Sequence, residues 1–235
     1  GGTWDLFRDP GIRSDSDMHT LGFAFKPWRE AKSIADGPSI KQYVNETADE
    51  RGITPHIRFG HRVQNANWDS AQSRWIISAE RGDEKVELNC NFLMMCAGYY
   101  NYNRAHRPEL NGIDDFSGTV VHPQFWPEDL DYAGKKVVVI GSGATAMTLV
   151  PALAETADKV TMVQRSPTYV ASRPDQDAIA NVLRKVLPEK WAYAITRFKN
   201  VALQGYIYNQ SRKHPEKLKA RLLKFVKDAL PDYDV

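Results

Sequence analysis

The stretch "KKVVVIGSGATAMTLVPALAETADKVTMVQRS", residues 135–166, decides the fold. It begins with an apolar, β-branched run typical of a buried strand, and a glycine-rich turn follows at residues 141–146. A helical pattern then leads to a second strand-like run at residues 159–165. Strand, glycine turn, helix and strand within about 30 residues form the dinucleotide-binding βαβ pattern. The sequence therefore predicts an α/β fold with a Rossmann-like unit.

Each small residue of the turn has a physical task in such a unit. Gly141 permits the tight turn, Gly143 lets a pyrophosphate approach the backbone, and Ala146 lets helix and strand pack closely. The anion then lies at the helix N-terminus, where unpaired N–H groups and the helix dipole favour negative charge. A glycine turn without a ligand is the alternative, and the complete βαβ context disfavours it.

The end of the second strand indicates which dinucleotide binds. A site that prefers NAD places Asp or Glu there, to accept from the ribose 2′-hydroxyl. This chain has Gln164, Arg165 and Ser166 instead. Because a guanidinium matches a phosphate and an acid repels one, NADP is the predicted cofactor. The alternative is that Arg165 is an ordinary surface residue at a strand end.

Composition limits the class of protein. The chain has 235 residues, 42% of them apolar, and a net charge of +2, so we expect a globular protein that does not bind nucleic acid. Cys90 and Cys96 cannot form a disulfide framework, which favours a reducing, cytoplasmic setting. No apolar run approaches the ~18 residues of a transmembrane helix. The scattered His residues give no metal-binding pattern.

The remaining sequence divides by pattern. Residues 1–37 are rich in turn formers, and residues 37–53 form a predicted helix whose apolar face carries Ile40, Tyr43, Val44 and Ala48. Residues 56–98 alternate as a meander of strands, including "KVELNCNFLMMCAG". After Pro174 the spacing is helical, and residues 175–235 carry 12 Lys and Arg against 7 Asp and Glu. That basic face is either solvated surface or a site of peripheral membrane or anion contact.

A second pattern precedes the βαβ unit. Phe116, Gly118, His122, Trp126 and Pro127 have the spacing F-x-G-x-x-x-H-x-x-x-W-P, and the glycine turn follows within 15 residues. This arrangement resembles the fingerprint of type I Baeyer–Villiger monooxygenases, in the flavin-containing monooxygenase superfamily. Relatives that oxygenate amines and thiols have a similar pattern but usually lack the Trp-Pro ending.

Further segments strengthen the resemblance. "GGTWDLFRDPGIRSDSDM", residues 1–18, is similar to the flavin-side loop of that family, with Asp9 where a Tyr is usual. "CAGYYN" at residues 96–101 resembles the motif that joins the two dinucleotide-binding domains. Within the family, "GIRSDSDM" and "SIADGPSI" resemble the mycobacterial ethionamide-activating subgroup.

The resemblance implies an enzyme with two cofactors, FAD and NADP(H). NADPH reduces the flavin, which uses O2 to insert one oxygen atom beside a ketone carbonyl, giving an ester or lactone. Thioether sulfur is a further substrate class of such enzymes. Two alternatives stay open: a flavin monooxygenase that oxygenates nitrogen or sulfur, and an NADP-binding module without catalysis. A flavin disulfide reductase is disfavoured, because Cys90 and Cys96 lack its C-x-x-x-x-C spacing.

Residue roles follow from the same resemblance. It implies that His122 and Trp126 act at a domain-junction hinge, with proton donation by the His as the alternative. Asp15 corresponds to the family's Asp near flavin and nicotinamide, where it supports a catalytic Arg expected beyond Val235. The implied NADP-binding residues are Gly141, Ser142, Gly143, Ala144, Thr145, Ala146, Arg165 and Ser166, and the implied FAD-binding residues are Gly1, Gly2, Thr3, Trp4 and Asp15.

The resemblance also implies a domain plan. Residues 1–130 would form part of an FAD-binding domain with a small β-meander, residues 131–174 the NADP-binding Rossmann unit, and residues 175–235 a helical insert. The FAD pyrophosphate fingerprint is expected upstream of Gly1. We therefore expect the chain to be the central part of a longer enzyme and to be inactive alone.

Overall fold

The computed structural model describes residues 1–166 and 168–233. It divides into two compact units. One contains Gly1, Thr3–Lys41 and the described residues from Arg107 onward, and the other contains Gly2 and Gln42–His106. The predicted domain boundaries at residues 130 and 174 follow cofactor roles rather than compactness, and they stay a prediction.

The first 36 residues are mainly turns, as predicted, with two short helices that the sequence did not suggest. These are α1 (Thr3–Leu6) and α2 (Met18–Leu21). The Asp17 carboxylate caps α2 by accepting from the backbone N–H of Thr20 at 2.9 Å. A bridge between Arg13 and Asp36 closes the loop between them.

Helix α3 spans Gly37–Glu50 and confirms the predicted helix. Ile40 and Tyr43 are buried as expected, whereas Val44 is 42% exposed and Thr47 is buried in its place. Thr47 tolerates burial because its hydroxyl donates to the Tyr43 carbonyl at 2.6 Å. The prediction for Val44 was therefore wrong.

The meander is a three-stranded antiparallel sheet in the second unit. It consists of β1 (Arg62–Asp69), β2 (Arg74–Arg81) and β3 (Glu84–Cys90), in that order. The prediction that strand structure continues to residue 98 was wrong. Cys90 pairs with Trp75, and only Arg74 of β2 lies beyond this pair, so almost no length of β2 remains to pair with the chain beyond β3. Phe92, Met94 and Met95 are accordingly exposed.

The predicted βαβ unit is present in the first unit. Parallel strands β4 (Lys136–Ile140) and β5 (Lys159–Val163) flank α4 (Ala144–Ala154), with Lys136 opposite Lys159 and Ile140 opposite Val163. Helix α4 buries Leu149 and Leu153. The small βαβ sheet confirms the α/β fold that the glycine pattern predicted.

The last segment is helical, as predicted. It contains α5 (Ala178–Val186), α6 (Glu189–Lys213) and α7 (Pro215–Ala229). Asp177 caps α5 by accepting from the Ala180 N–H at 3.0 Å, and it pairs with Lys199 of α6 at 2.5 Å. These contacts fix α5 on α6.

Candidate functional site

The glycine turn joins β4 to α4 with open space above its backbone. Gly141 has φ of 123°, which other residues rarely adopt, and its N–H donates to the Val163 carbonyl at 2.8 Å. Gly143 is the N-cap of α4, and a Cβ built on it meets no atom within 4 Å. Ala146, by contrast, is buried between helix and sheet. Gly141 thus adopts a backbone conformation that favours glycine and Ala146 packs closely, while the approach of a pyrophosphate to Gly143 stays a prediction.

The turn presents donors to a ligand. The first N–H groups of any α-helix lack intrahelical partners, and the first turn of α4 contains no acidic residue that would repel an anion. Ala144 and Thr145 are exposed and Ser142 is half-buried, so the backbone at the turn is accessible. This arrangement suits a pyrophosphate.

Arg165 and Ser166 lie at the same edge of the sheet as the glycine turn. The paired residues Ile140 and Val163 end their parallel strands, so the residues that follow each strand emerge together. Arg165 is exposed and has neither a hydrogen bond nor an ion pair among the described residues. An exposed guanidinium beside the glycine turn has the geometry to bind a phosphate.

The fingerprint residues form a local structure just before β4. A Cβ on Gly118 would lie 2.5 Å from Cζ of Phe116, so the Phe116 ring covers the backbone of Gly118. This contact gives a physical reason for the Phe-x-Gly spacing, because a side chain at residue 118 would displace the ring.

His122 and Trp126 make structural contacts. The His122 Nδ1 accepts from the Gln124 N–H at 3.1 Å and caps the 3₁₀ turn Pro123–Phe125. The Trp126 ring meets Tyr132 edge-on at 6.0 Å, and Pro127 is exposed beside it. These contacts attach the fingerprint to the residues that enter β4, and the hinge role and proton donation by His122 both stay predictions.

The flavin-side loop lines a cavity of about 580 Å³ in the first unit. Gly1, Gly2 and Thr3 lead into α1, whose Trp4 lines this cavity with Phe7 and Arg8. Asp15 is exposed and does not line it. The structure thus brings Trp4, but not Asp15, to the cavity wall.

The opposite wall of the cavity comes from the segment after β5. The Ser33 and Ile34 N–H groups donate to the Asp175 carbonyl at 2.7 and 3.0 Å, which holds Arg173 and Asp175 at the cavity. Sequence reasoning missed these two residues, because nothing local in the sequence indicates a contact across about 140 positions.

Asp9, where the family usually has Tyr, also lines the cavity. Its side chain is buried, and only 4% of the residue is exposed. Burial raises the pKa of the Asp9 carboxyl above its ordinary value of 3.8. The environment of the cavity therefore disfavours the charged form of this carboxyl relative to water.

The flavin-side loop packs directly on the helix of the βαβ unit. Gly11 has φ of 77°, and a Cβ on it would lie 2.5 Å from the Thr148 carbonyl oxygen and 3.0 Å from Cβ of Ala152. Only glycine allows this approach of the loop to α4. The residues implied for FAD and those implied for NADP therefore belong to elements in contact.

Asp17 is a second residue that sequence reasoning missed. It is buried, and its carboxylate accepts from Asn200 Nδ2 at 2.9 Å and Gln204 Nε2 at 3.2 Å. The local signal was the Asp-x-x-Thr capping spacing with Thr20. Asp17 ties the loop that carries Asp15 to α6.

Two further observations concern the described residues alone. Within them, no group of three or more His, Cys, Asp or Glu is placed to hold a metal ion. None of the helices in this part of the chain has the length and apolarity that a membrane span requires.

Three similar solved structures are described as bound to NADP, and one of them also to FAD. An oxidized steroid monooxygenase bound to NADP matches 83% of this chain and 36% of its own, at 34% identity and a TM-score of 0.66. The OTEMO complex with FAD and NADP matches 72% of this chain and 33% of its own, at 32% identity and a TM-score of 0.60. Cyclohexanone monooxygenase from Rhodococcus sp. Phi1, bound to NADP+, has a TM-score of 0.60 at 30% identity, over 72% of this chain and 32% of its own.

Curated relatives align over the whole sequence. The FAD-containing monooxygenase EthA of Mycolicibacterium smegmatis is 54% identical over 100% of this chain and 48% of its own length. The putative FAD-containing monooxygenase MymA of Mycobacterium tuberculosis is 52% identical over 95% of this chain and 46% of its own. The chain thus spans about half the length of these relatives. The family model described as flavin-binding monooxygenase-like matches residues 33–222, and the chain belongs to this family.

Proposed function

We propose that the protein containing this chain is an FAD- and NADPH-dependent monooxygenase that carries out Baeyer–Villiger oxidation of ketones. The observation that carries the proposal is the shared sheet edge, where the open glycine turn and Arg165 follow the paired residues Ile140 and Val163. Arg165 is exposed and has no hydrogen bond or ion pair within residues 1–166 and 168–233. This edge offers a pyrophosphate site and a separate cation for a 2′-phosphate.

The residues present fit NADP(H). Gly141, Ser142, Gly143, Ala144, Thr145 and Ala146 would surround the pyrophosphate, and Arg165 with Ser166 would bind the 2′-phosphate. The open space above Gly143 supports this assignment, because a Cβ built there meets no atom of the described residues within 4 Å and the space is open to a ligand.

The residues present also fit one side of an FAD site. Trp4 supplies an aromatic wall, and Gly1, Gly2 and Thr3 supply backbone beside it. When bound, FAD would supply the electron transfer and oxygen activation that side chains cannot provide. This chain's residues would orient the cofactor and exclude water, and Asp15 would position an Arg from elsewhere in the protein.

Contact between the two sets of residues supports a two-cofactor enzyme over a nucleotide-binding module. Gly11 places the flavin-side loop against α4, and the Arg8 guanidinium lies 3.8 Å from Glu128 beside the fingerprint. Hydride transfer needs two cofactors held in a fixed relation, and a module that binds NADP alone has no such need.

Ketone oxidation is favoured over nitrogen or sulfur oxygenation by the complete fingerprint that ends in Trp126 and Pro127. The cyclohexanone monooxygenase among the similar structures agrees with this choice. The proposed substrates are O2 and a small organic ketone, with thioethers second. The proposed location is the cytoplasm, with which the free thiols of Cys90 and Cys96 agree.

The test is a turnover assay on the protein that contains this chain, supplied with FAD, NADPH and O2. We expect NADPH oxidation that depends on a ketone and an ester or lactone product identified by mass spectrometry. Oxygenated amines or thioethers without any ester would favour the alternative monooxygenase. NADPH binding without oxidation in the FAD-loaded protein would favour the non-catalytic module.

A further inference from the structure

A second, much smaller cavity lies away from the dinucleotide residues. It is lined by His19 of α2, by Arg184 of α5, and by Tyr193 and Thr196 of α6. The volume that the centre of a water molecule can occupy inside it is about 20 Å³. A cavity needs roughly 10–15 Å³ on this measure to hold one water, so the space suits a single water and nothing larger.

Three buried polar atoms on this cavity have no hydrogen-bond partner among residues 1–166 and 168–233. They are Nε2 of His19, Oη of Tyr193 and Oγ1 of Thr196. His19 is 3% exposed and Thr196 is 2% exposed, so bulk solvent does not reach them. Buried polar atoms are paired in most proteins, with protein groups or with ordered water, because leaving them unpaired is costly.

One water molecule has enough donors and acceptors to pair with all three atoms. A water donates two hydrogen bonds and accepts two, and each hydroxyl donates or accepts as needed. Burial, together with Arg184, lowers the pKa of His19, so its ring is neutral near pH 7 and its Nε2 takes either role. Buried waters typically make about three hydrogen bonds, which is the number available here.

We propose that this cavity is a binding site for one structural water, which bridges His19, Tyr193 and Thr196. The water joins the loop of the predicted flavin residues to α6. Protein contacts beside it serve the same junction, since Arg197 donates to the Thr20 carbonyl at 2.6 Å and Asn200 donates to Asp17. The water completes a junction that is otherwise held by direct hydrogen bonds.

The sign of a stability change tests the proposal. Thr196→Val keeps the shape of the side chain and removes the hydroxyl. If a water bridges the hydroxyl, the urea midpoint of the variant falls; if the hydroxyl is unpaired, replacing it with a methyl group raises the midpoint or leaves it unchanged. The matched control is Thr47→Val, where a buried hydroxyl has a known partner and the midpoint falls.

A crystal structure of the unaltered chain, at a resolution that shows ordered water, tests the site directly. We expect one density peak within about 2.5–3.2 Å of all three atoms. A dry cavity, or three side chains paired with protein groups instead, overturns the proposal, as does a midpoint that does not fall in Thr196→Val. The crystal result decides the matter if the variant does not fold.

Discussion

Replacing Arg165 by Ala should change the affinity for NADP+ without changing the affinity for NAD+. The guanidinium is exposed and unpaired among the described residues, so its removal breaks no hydrogen bond or ion pair in that part of the chain, and we expect the midpoint of thermal unfolding to stay unchanged. Its proposed partner is the 2′-phosphate, which NADP carries and NAD lacks. Arg165→Ala should therefore weaken the binding of NADP+ and not that of NAD+.

The expected loss follows from the exposure of the site. A hydrogen bond to a charged group contributes about 1.5–3 kcal/mol. Because Arg165 is exposed, solvent screening places the contribution of its contact with the phosphate at the low end of this range. A contribution of about 1.4 kcal/mol corresponds to a tenfold change in affinity. We expect the dissociation constant of NADP+ to rise about tenfold, and the effect to shrink as salt increases.

Isothermal titration calorimetry with NADP+ and NAD+ measures both constants. Lys159→Ala is the control, since Lys159 is exposed at the amino end of the same strand. It lies roughly 20 Å along the strand from Arg165, beyond the ~10 Å range of surface charge at 0.1 M salt. Equal losses for NADP+ and NAD+ in Arg165→Ala, or the same loss in Lys159→Ala, would refute the assignment.

Three further changes test the packing and the buried carboxyls by thermal unfolding. Gly11→Ala should destabilise the protein by about 2–4 kcal/mol, since its Cβ would overlap the Thr148 carbonyl at a left-handed φ; an unchanged midpoint would mean that the loop does not pack on α4. Asp9→Asn should raise the midpoint at pH 7, because burial raises the pKa of Asp9 and the folded state disfavours its charge. That gain should vanish as pH falls below the unfolded value of 3.8, where Asp9 is protonated in both states; a gain that persists at pH 3 would contradict the cause. Asp177→Ala should cost about 1–2 kcal/mol at pH 7 through loss of the α5 cap. Burial alone would raise the pKa of Asp177, but Lys199 and the Ala180 N–H lower it overall, so the cost should decline as pH falls through and below 3.8; a constant cost would count against the charged cap.

Local signals were sufficient for the βαβ unit. The β-branched run before Gly141, the spacing of the small residues and the second strand are contiguous in sequence, so the motif predicted the order of strand, turn, helix and strand. The structure adds the register, with Ile140 opposite Val163. The same parallel geometry allowed Arg165 to be placed beside the turn before any coordinates were known. The capped helix beginning near Pro38 was predicted for similar local reasons.

Burial and strand ends were harder to predict, because they depend on partners. Thr47 replaces Val44 on the buried face only because its hydroxyl finds a carbonyl within its own helix. The apolar residues after Cys90 have strand composition, yet only Arg74 of β2 lies beyond the Trp75–Cys90 pair. Composition does not show where a partner strand begins.

The cavity of the flavin-side loop could not be predicted from one sequence. Its walls join Trp4 and Asp9 to Arg173 and Asp175, which are brought together by backbone hydrogen bonds from Ser33. Such long-range hydrogen bonds depend on the tertiary fold, and the hydrophobic periodicity of the sequence does not indicate them. The hydrogen bond between Asn200 and Asp17 could not be predicted from the sequence for the same reason.

The most direct test of the central claim is the affinity of Gly143→Ala for NADP+ and NAD+. A Cβ at Gly143 meets no protein atom and its φ of −77° suits any residue, so the variant should fold normally. Gly205→Ala in α6 is the control, since its Cβ also meets nothing. If the turn binds the pyrophosphate, Gly143→Ala loses at least about tenfold in affinity for both dinucleotides, or about 1.4 kcal/mol, and Gly205→Ala loses none. Wild-type affinity in a folded Gly143→Ala protein would show that the glycine turn is not the dinucleotide site.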